Sequence, residues 1–243
     1  MTNERMIISW FSCGAASAVA TKIALQNYKD VVIYYIALGG EHEDNYRFIK
    51  DCEKWFEKDI HVVTPEPYKS HWEVIEKKRV INTPWGAACT SLLKKDVRYK
   101  IEDAIHSWDG QVFGFDVTER KRAKRFFEQY PKSKAIFPLI DSMLSKEDCL
   151  ALLERNDIKL PRMYELGFLN NNCIGCVKGG KGYWARIRHY FPTAFNRMAQ
   201  LERKIGHSCI NGCFLDELPE HYPMNAPIIP ECSLFCDVDF MDV

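Results

Sequence analysis

The chain has 243 residues, 33 basic and 33 acidic side chains, and a hydrophobic share of 47%. This suits one sizeable packed α/β domain with an appendage. The cancelling charge leaves no global field to draw the protein to nucleic acid or an anionic membrane. No apolar run is long enough to span a bilayer, and the first strand pattern begins almost at once with no secretory leader before it. A cytoplasmic location is therefore expected, and in that compartment the ten cysteines are expected as buried thiols, metal ligands or redox groups rather than disulfides.

Met6 to Phe11 is a short apolar run, followed by Ser12-Cys13-Gly14-Ala15-Ala16-Ser17 and then a helical pattern. Small residues at such a bend let backbone approach a ligand. The first free N–H groups of the helix then suit a phosphate or sulfate, or simply make a tight turn. The Walker spacing is absent. Val31–Leu38 reads as a buried strand ending in Gly39-Gly40, Asn45–Phe56 as a helix, Ile60–Thr64 as a strand, and Trp72, Ile75 and Arg79 as a short helix. A helix is expected from Ser91 to His106, a strand over Gln111–Asp116, and a charge-rich segment over Thr118–Gln129. Ala135–Leu139 is strand-like, and Ser145 with Asp148 forms a capping box.

Strands alternating with helices predict an α/β fold with a doubly wound, mainly parallel sheet. Ligands in such folds sit outside the carboxyl ends of strands, where the strand order reverses. The character changes near Asn170. Cys173-Ile174-Gly175-Cys176 precedes two helical runs, one with Trp184, Ile187 and Phe191, the other with Phe195, Met198, Leu201 and Ile205 and a stop at Gly206. Four more cysteines follow: Cys209, Cys213, Cys232 and Cys236. The expected division is 1–169, a nucleotide-binding α/β domain, and 170–243, a cysteine-rich C-terminal appendage of helices and loops. The run Lys178 to Lys204 interleaves Lys181, Arg186, Arg188, Arg197, Arg203 and Lys204 with Tyr183, Trp184, Tyr190 and Phe191. That pattern fits either a single-strand nucleic-acid surface or two amphipathic helices with aromatics packed inward.

Four stretches together resemble the phosphoadenylylsulfate (PAPS) reductase-like branch of the PP-loop, HUP-like adenine-nucleotide enzymes. Ser12–Ser17 is similar to the PP-loop, usually Ser-Gly-Gly-x-Asp-Ser, with Cys13 at a glycine position and Ala16 at the aspartate, a loss shared with reductase members. Gly39–Phe48 resembles the Asp-Thr-Gly strand end without its aspartate. Gly114–Arg125 resembles the glycine–acidic–arginine segment that closes over the nucleotide. Phe137-Pro138-Leu139, then Pro161 to Phe168, then Cys173-x-x-Cys176 follow the family's order of a Pro-Leu strand end, a Pro-x-x-Tyr-x-x-Gly-Phe/Tyr turn and a cysteine pair.

The resemblance implies an adenine nucleotide, ATP or PAPS/adenylylsulfate, bound by Ser12, Cys13, Gly14, Ala15, Ala16, Ser17, Gly39, Gly40, Gly114, Arg120, Arg122 and Arg125. It implies a cysteine-ligated iron–sulfur cluster, expected as [4Fe–4S] with zinc as the alternative. Cys89 in Ala88-Cys89-Thr90-Ser91-Leu92-Leu93-Lys94 is similar to the reductases' Cys-Cys…Leu-Lys segment, with Ala88 in place of the first cysteine. Cys89, Cys173 and Cys176 are then ligands. Cys232 is either the fourth ligand or the nucleophile of a Glu-Cys tail, with Cys236, Cys209 and Cys213 as other candidates. Cys232 and Arg120 are the expected catalytic residues. The implied chemistry is sulfonyl reduction or sulfur transfer with a thiol electron donor or a sulfur donor. The alternatives are ATP-dependent thiolation of tRNA or DNA, or a non-catalytic nucleotide-binding protein. Nucleic acid and a second copy of the chain are candidate partners; a membrane is not expected.

Overall fold

The computed structural model describes residues 6–83 and 86–224. Strand β1 (Met6–Trp10) bends into helix α1 (Ala15–Asn27), and β2 (Asp30–Ile36), α2 (Asn45–Phe56) and β3 (Ile60–Val63) follow. Then come α3 (His71–Lys78), α4 (Ala88–Thr90), one π-helical turn at Ser91–Lys95, and α5 (Asp96–Ile105). After β4 (Gly110–Val112) are α6 (Arg120–Gln129), β5 (Ala135–Ile136), α7 (Pro138–Asp141), α8 (Lys146–Arg155), α9 (Arg162–Glu165), α10 (Lys181–Tyr190) and α11 (Pro192–Ile205).

The five strands form one parallel sheet in the order β3-β2-β1-β4-β5. The order runs outward from β1 in one direction and then restarts on its other side. Right-handed crossovers therefore put α1 and α2 on one face and α6 on the other, the doubly wound arrangement. The register is set at the centre, where β1 pairs with β2 from Met6↔Asp30 to Trp10↔Tyr34 and with β4 from Ile7↔Gly110 to Ser9↔Val112. Ile7, Ile8, Val31 and Ile33 are buried, as expected for strands covered on both faces.

Element ends depart from the sequence reading for local reasons. The helix expected from Ser91 to His106 begins at Ala88, passes through the π-helical turn at Ser91–Lys95 and ends at Ile105. β4 ends at Val112, although Phe113 N–H still bonds Ile136 C=O at 3.1 Å. β5 stops at Ile136 because Pro138 opens α7, its fixed φ and missing donor suiting a first turn. The Ser145 box forms as read: its hydroxyl accepts Asp148 N–H, and the Asp148 carboxylate reaches back to Ser145 N–H at 2.8 Å. Gly206, at φ 78°, caps α11.

The chain divides into two compact units. The first comprises the described residues to Ala37, Glu43–Val63 and Arg98–Arg162, and contains the whole sheet. The second comprises Leu38–His42, Thr64–Val97 and the described residues from Met163. These units interleave along the chain, unlike the linear division at residue 169. In the first unit, alanines at 15, 16, 18, 20 and 24 bring α1 close to its neighbours, and α1 packs against α8. In the second, α10 packs on α11, and Trp72, Ile75, Met163, Phe168, Tyr183, Trp184, Ile187 and Met198 share one core.

Candidate functional site

In the first unit, the order of the sheet reverses between β1 and β4, and the Ser12–Ser17 bend follows β1 at that point. The Ser17 hydroxyl shapes the bend. It accepts Ser12 N–H at 3.0 Å, the Ser12 hydroxyl at 3.0 Å and Gly14 N–H at 3.3 Å, and donates to Gly14 C=O at 3.0 Å. Thr21 anchors the next turn, donating to Ser17 C=O at 2.8 Å and sharing a hydrogen bond with Ser9 on β1, also 2.8 Å. The helical ladder of α1 begins with Ala18 N–H donating to Gly14 C=O at 3.0 Å, so the amides of Ala16 and Ser17 precede it. Cys13 adopts φ 61°, a left-handed conformation that a side chain makes costly and a glycine does not. Its thiol is buried and faces Asn45 C=O at 3.6 Å, so only its backbone is available to a ligand.

Gly114 joins this corner. A Cβ there would lie 2.7 Å from Ser17 N and 2.8 Å from Ser17 Cα, so the end of β4 closes on the first turn of α1 only because residue 114 has no side chain. Asp116 starts the following turn, accepting Thr118 N–H at 2.7 Å. The three arginines beyond it separate. Arg122 is buried, paired with Glu119, and lies over the Phe115 ring with its guanidinium carbon 4.5 Å from the centroid. Arg125 is half-buried. Arg120 is exposed, with its guanidinium against Met143 Sδ, and lines an open groove with Phe127, Phe137 and Asp141. Arg120 is thus the most exposed of the three.

Gly39 and Gly40 belong to the second unit. Gly39 N–H bonds Lys69 C=O at 2.8 Å, and Gly40 C=O accepts Ile174 N–H at 2.7 Å, which ties this turn to the Cys173–Cys176 knuckle. A Cβ on Gly40 would fall 2.4 Å from both Nδ1 and Cε1 of His71, so the bare backbone seats that ring.

Also in the second unit, Cys89, Cys173 and Cys176 line a single pocket with Leu38, His71, Thr90, Lys94 and Val177. Cys89 sits on α4 and the other two on the turn after Asn172. The π-helical turn directly after Cys89 is the kind of irregularity that helices carry at functional sites. Tyr183 holds the knuckle. Its buried hydroxyl accepts Gly175 N–H at 2.9 Å and Cys176 N–H at 2.8 Å and donates to Cys173 C=O at 2.8 Å. Burial, and next the nearby Cys176, push its phenol well above the usual range, so it remains a neutral donor. Among the described residues, no three His, Cys, Asp or Glu side chains converge as the ligands of one metal ion.

His71 and Tyr183 are absent from the candidate residues read from sequence. His71 stands alone, without a ligand-spaced partner, and no periodicity reports what packs over it. It is 2% exposed, and neither ring nitrogen has a hydrogen-bond partner. Burial, with Arg197 adding to it, pushes its pKa down to about 3, and the backbone of Gly175 and Ile174 only partly offsets this, so the ring is neutral. Cys209 is buried beside Glu202, which, after burial itself, holds its thiol protonated. Cys13, Cys52 and Cys149 are buried in the first unit. Cys232 and Cys236 lie outside the described residues.

The basic–aromatic run forms α10 and α11 with Tyr183 and Trp184 buried in the core. Arg186 donates to the carbonyls of Leu166 and Met224, and Arg188 to those of Leu218, Pro219 and Glu220. Arg197 pairs with Glu76, and Arg203 with Asp216 and Glu217. These arginines bind their own chain, as the inward-packed reading requires. Among the described residues no helix is long and apolar enough to cross a membrane.

A profile of the phosphoadenosine phosphosulfate reductase domain family matches residues 6–180. An uncharacterised protein of Methanocaldococcus jannaschii is 24% identical over 207 residues, which cover 81% of this chain and 47% of that protein. The chain thus spans about half the length of the curated relative it matches. Among solved structures, a PAPS reductase from Candida auris in a phosphate complex aligns with a TM-score of 0.49 at 13% identity, over 69% of this chain and 80% of that one. The U34-tRNA thiolase NcsA of Methanococcus maripaludis, solved with its [4Fe–4S] cluster, aligns with a TM-score of 0.48 at 14% identity, over 91% of this chain and 82% of that one.

Proposed function

The chain belongs to the phosphoadenosine phosphosulfate reductase domain family, and from that premise we propose that it is an enzyme that binds an adenine nucleotide and performs sulfur chemistry with a cysteine-ligated iron–sulfur cluster. The observation that carries the cluster is the gathering of Cys89, Cys173 and Cys176, from two distant stretches of chain, around one pocket. The donor set fits: three thiols, a neutral imidazole, and a knuckle whose amides are already satisfied by Tyr183. Zinc takes the same types of ligand, and metal analysis distinguishes the two. When bound, the cluster would supply thiolate-ligated iron able to pass electrons or hold sulfide.

The nucleotide belongs at the Ser12–Ser17 bend. Backbone amides at the start of α1 receive its phosphate or sulfate oxygens. Gly114 closes the corner, and the exposed Arg120 supplies positive charge. Arg122 supports the segment through Glu119 and Phe115. In the reductive reaction, the Cys232 thiolate attacks the sulfonyl sulfur of an adenylylated sulfate, and the bond from that sulfur to the bridging oxygen breaks. The nucleotide leaves with the electron pair, and S-sulfocysteine remains. A thiol donor then attacks the cysteine sulfur, releasing sulfite and leaving a disulfide.

Purification without oxygen, with metal and acid-labile sulfide analysis, followed by calorimetry against ATP, AMP, adenylylsulfate and PAPS, tests the proposal. The expected product is brown, contains iron and sulfide in equal amounts, and binds adenylylsulfate or PAPS. A colourless zinc protein removes the cluster. Turnover with ATP and a nucleic acid, without binding of either adenylylated sulfate, replaces reduction by thiolation.

A further inference from the structure

Three cysteines leave a four-iron cube one protein ligand short, and His71 stands in the same pocket. Its ring is buried, both nitrogens lack a hydrogen-bond partner, and Gly40 has no side chain to displace it. A buried polar group without a well-formed hydrogen bond is costly, so an imidazole buried in a pocket that three thiols also line calls for a compensating interaction at the nitrogen that does not face the Ile174 and Gly175 backbone. We propose that His71 is the fourth ligand of the cluster, completing a three-cysteine, one-histidine set with Cys89, Cys173 and Cys176.

The surroundings support this assignment. A ligating histidine commonly directs its second nitrogen at backbone carbonyl groups, which fixes ring orientation, and the backbone of Ile174 and Gly175 lies beside this ring. Trp72 packs against it with centroids 4.3 Å apart, and α3 is capped just ahead of it by Ser70, whose hydroxyl accepts Glu73 N–H. The ring is therefore held from three sides before any metal arrives. Coordination uses a nitrogen lone pair while the other nitrogen keeps its proton, so no electron or proton is transferred. Of the other described candidates, Cys209 is hydrogen-bonded to Glu202 and Cys213 Sγ faces Phe214 C=O at 3.4 Å, and neither lines the pocket. Cys232 is then not required in the ligand set.

The inference rests on the cluster reading, and one experiment separates their failures. The full chain, purified without oxygen and reduced with dithionite, is examined by pulsed electron paramagnetic resonance, with and without isotopically labelled histidine. The expected result is a nitrogen directly coupled to the cluster that changes with the label and disappears in His71→Cys, while iron content is retained and the reduction potential falls, since imidazole ligation raises cluster potentials relative to thiolate. Cys232→Ser keeps both iron and the nitrogen coupling. Iron-loaded wild type without a labelled nitrogen signal overturns the His71 assignment alone. Loss of the cluster in Cys232→Ser does the same. Wild type without iron overturns the cluster reading and this inference together. The labelled wild type decides the matter even where His71→Cys does not fold.

Discussion

At the scale of single residues, the Tyr183 hydroxyl determines the shape of the cysteine knuckle, because one buried oxygen serves two amides and one carbonyl of the same turn. Tyr183→Phe keeps the ring's packing and removes all three bonds, leaving Gly175 N–H without that partner while Cys176 N–H keeps its 3.1 Å bond to Cys173 C=O. The expected loss is about 1–3 kcal/mol of stability, read from urea unfolding, together with a lower iron content after purification without oxygen. Unchanged iron with unchanged stability would show that the knuckle holds itself. Cys13 illustrates a different constraint. It takes a left-handed backbone conformation with a buried thiol, so its identity reports packing on α2 more than contact with a ligand. Arg120 and Arg122, two residues apart, have opposite fates for the same kind of reason: Arg122 finds Glu119 and Phe115, and Arg120 faces solvent.

Among the elements, α1 and the end of β4 meet at backbone distance. Gly114→Ala places a methyl group against the Ser17 backbone, which has no soft side chain to yield. The mutation is expected to cost about 1–3 kcal/mol and to weaken nucleotide binding by calorimetry more than Arg122→Lys does; retention of wild-type affinity would separate residue 114 from the binding corner. At the far end of the chain, Glu202 on α11 fastens the loop that follows. Its carboxylate accepts Cys209 N–H at 2.5 Å and Leu215 N–H at 2.7 Å. Burial raises its pKa above the ordinary 4.5, partly offset by those two amides. The native state therefore takes up this proton before the unfolded chain does. As pH falls from neutrality through the raised value toward 4.5, wild type should gain stability relative to Glu202→Gln, and no further below it. Urea midpoints of both proteins across that window check the sign, and a difference that stays flat or moves the other way contradicts it.

For the whole molecule, the sheet and its reversal point were legible from the alternation of strands and helices, because period-two and period-3.6 patterns are properties of neighbouring residues. The cysteine pair at 173 and 176 was legible for the same reason. The interleaving of the two units was not, since it depends on which faces pack together; 38–42 and 64–97 carry no local mark of grouping with the residues from Met163. The basic–aromatic run shows the limit from the other side. Its composition alone allowed a nucleic-acid surface, and only the acceptors on its own chain show how its arginines are used.

What the sequence by itself determined is the kind of fold, the small-residue bend at Ser12–Ser17 and the close pair Cys173 and Cys176, because each is written in short-range spacing. What only the tertiary structure decided is convergence. Cys89 joins Cys173 and Cys176 in one pocket, Gly114 closes on Ser17, Gly40 seats His71, and Tyr183 pins the knuckle. The physical reason is that burial and the loss of hydrogen-bond partners depend on what arrives from elsewhere in the chain. An isolated histidine such as His71 becomes a ligand candidate only once packing has buried its ring in the pocket that the three cysteines also line.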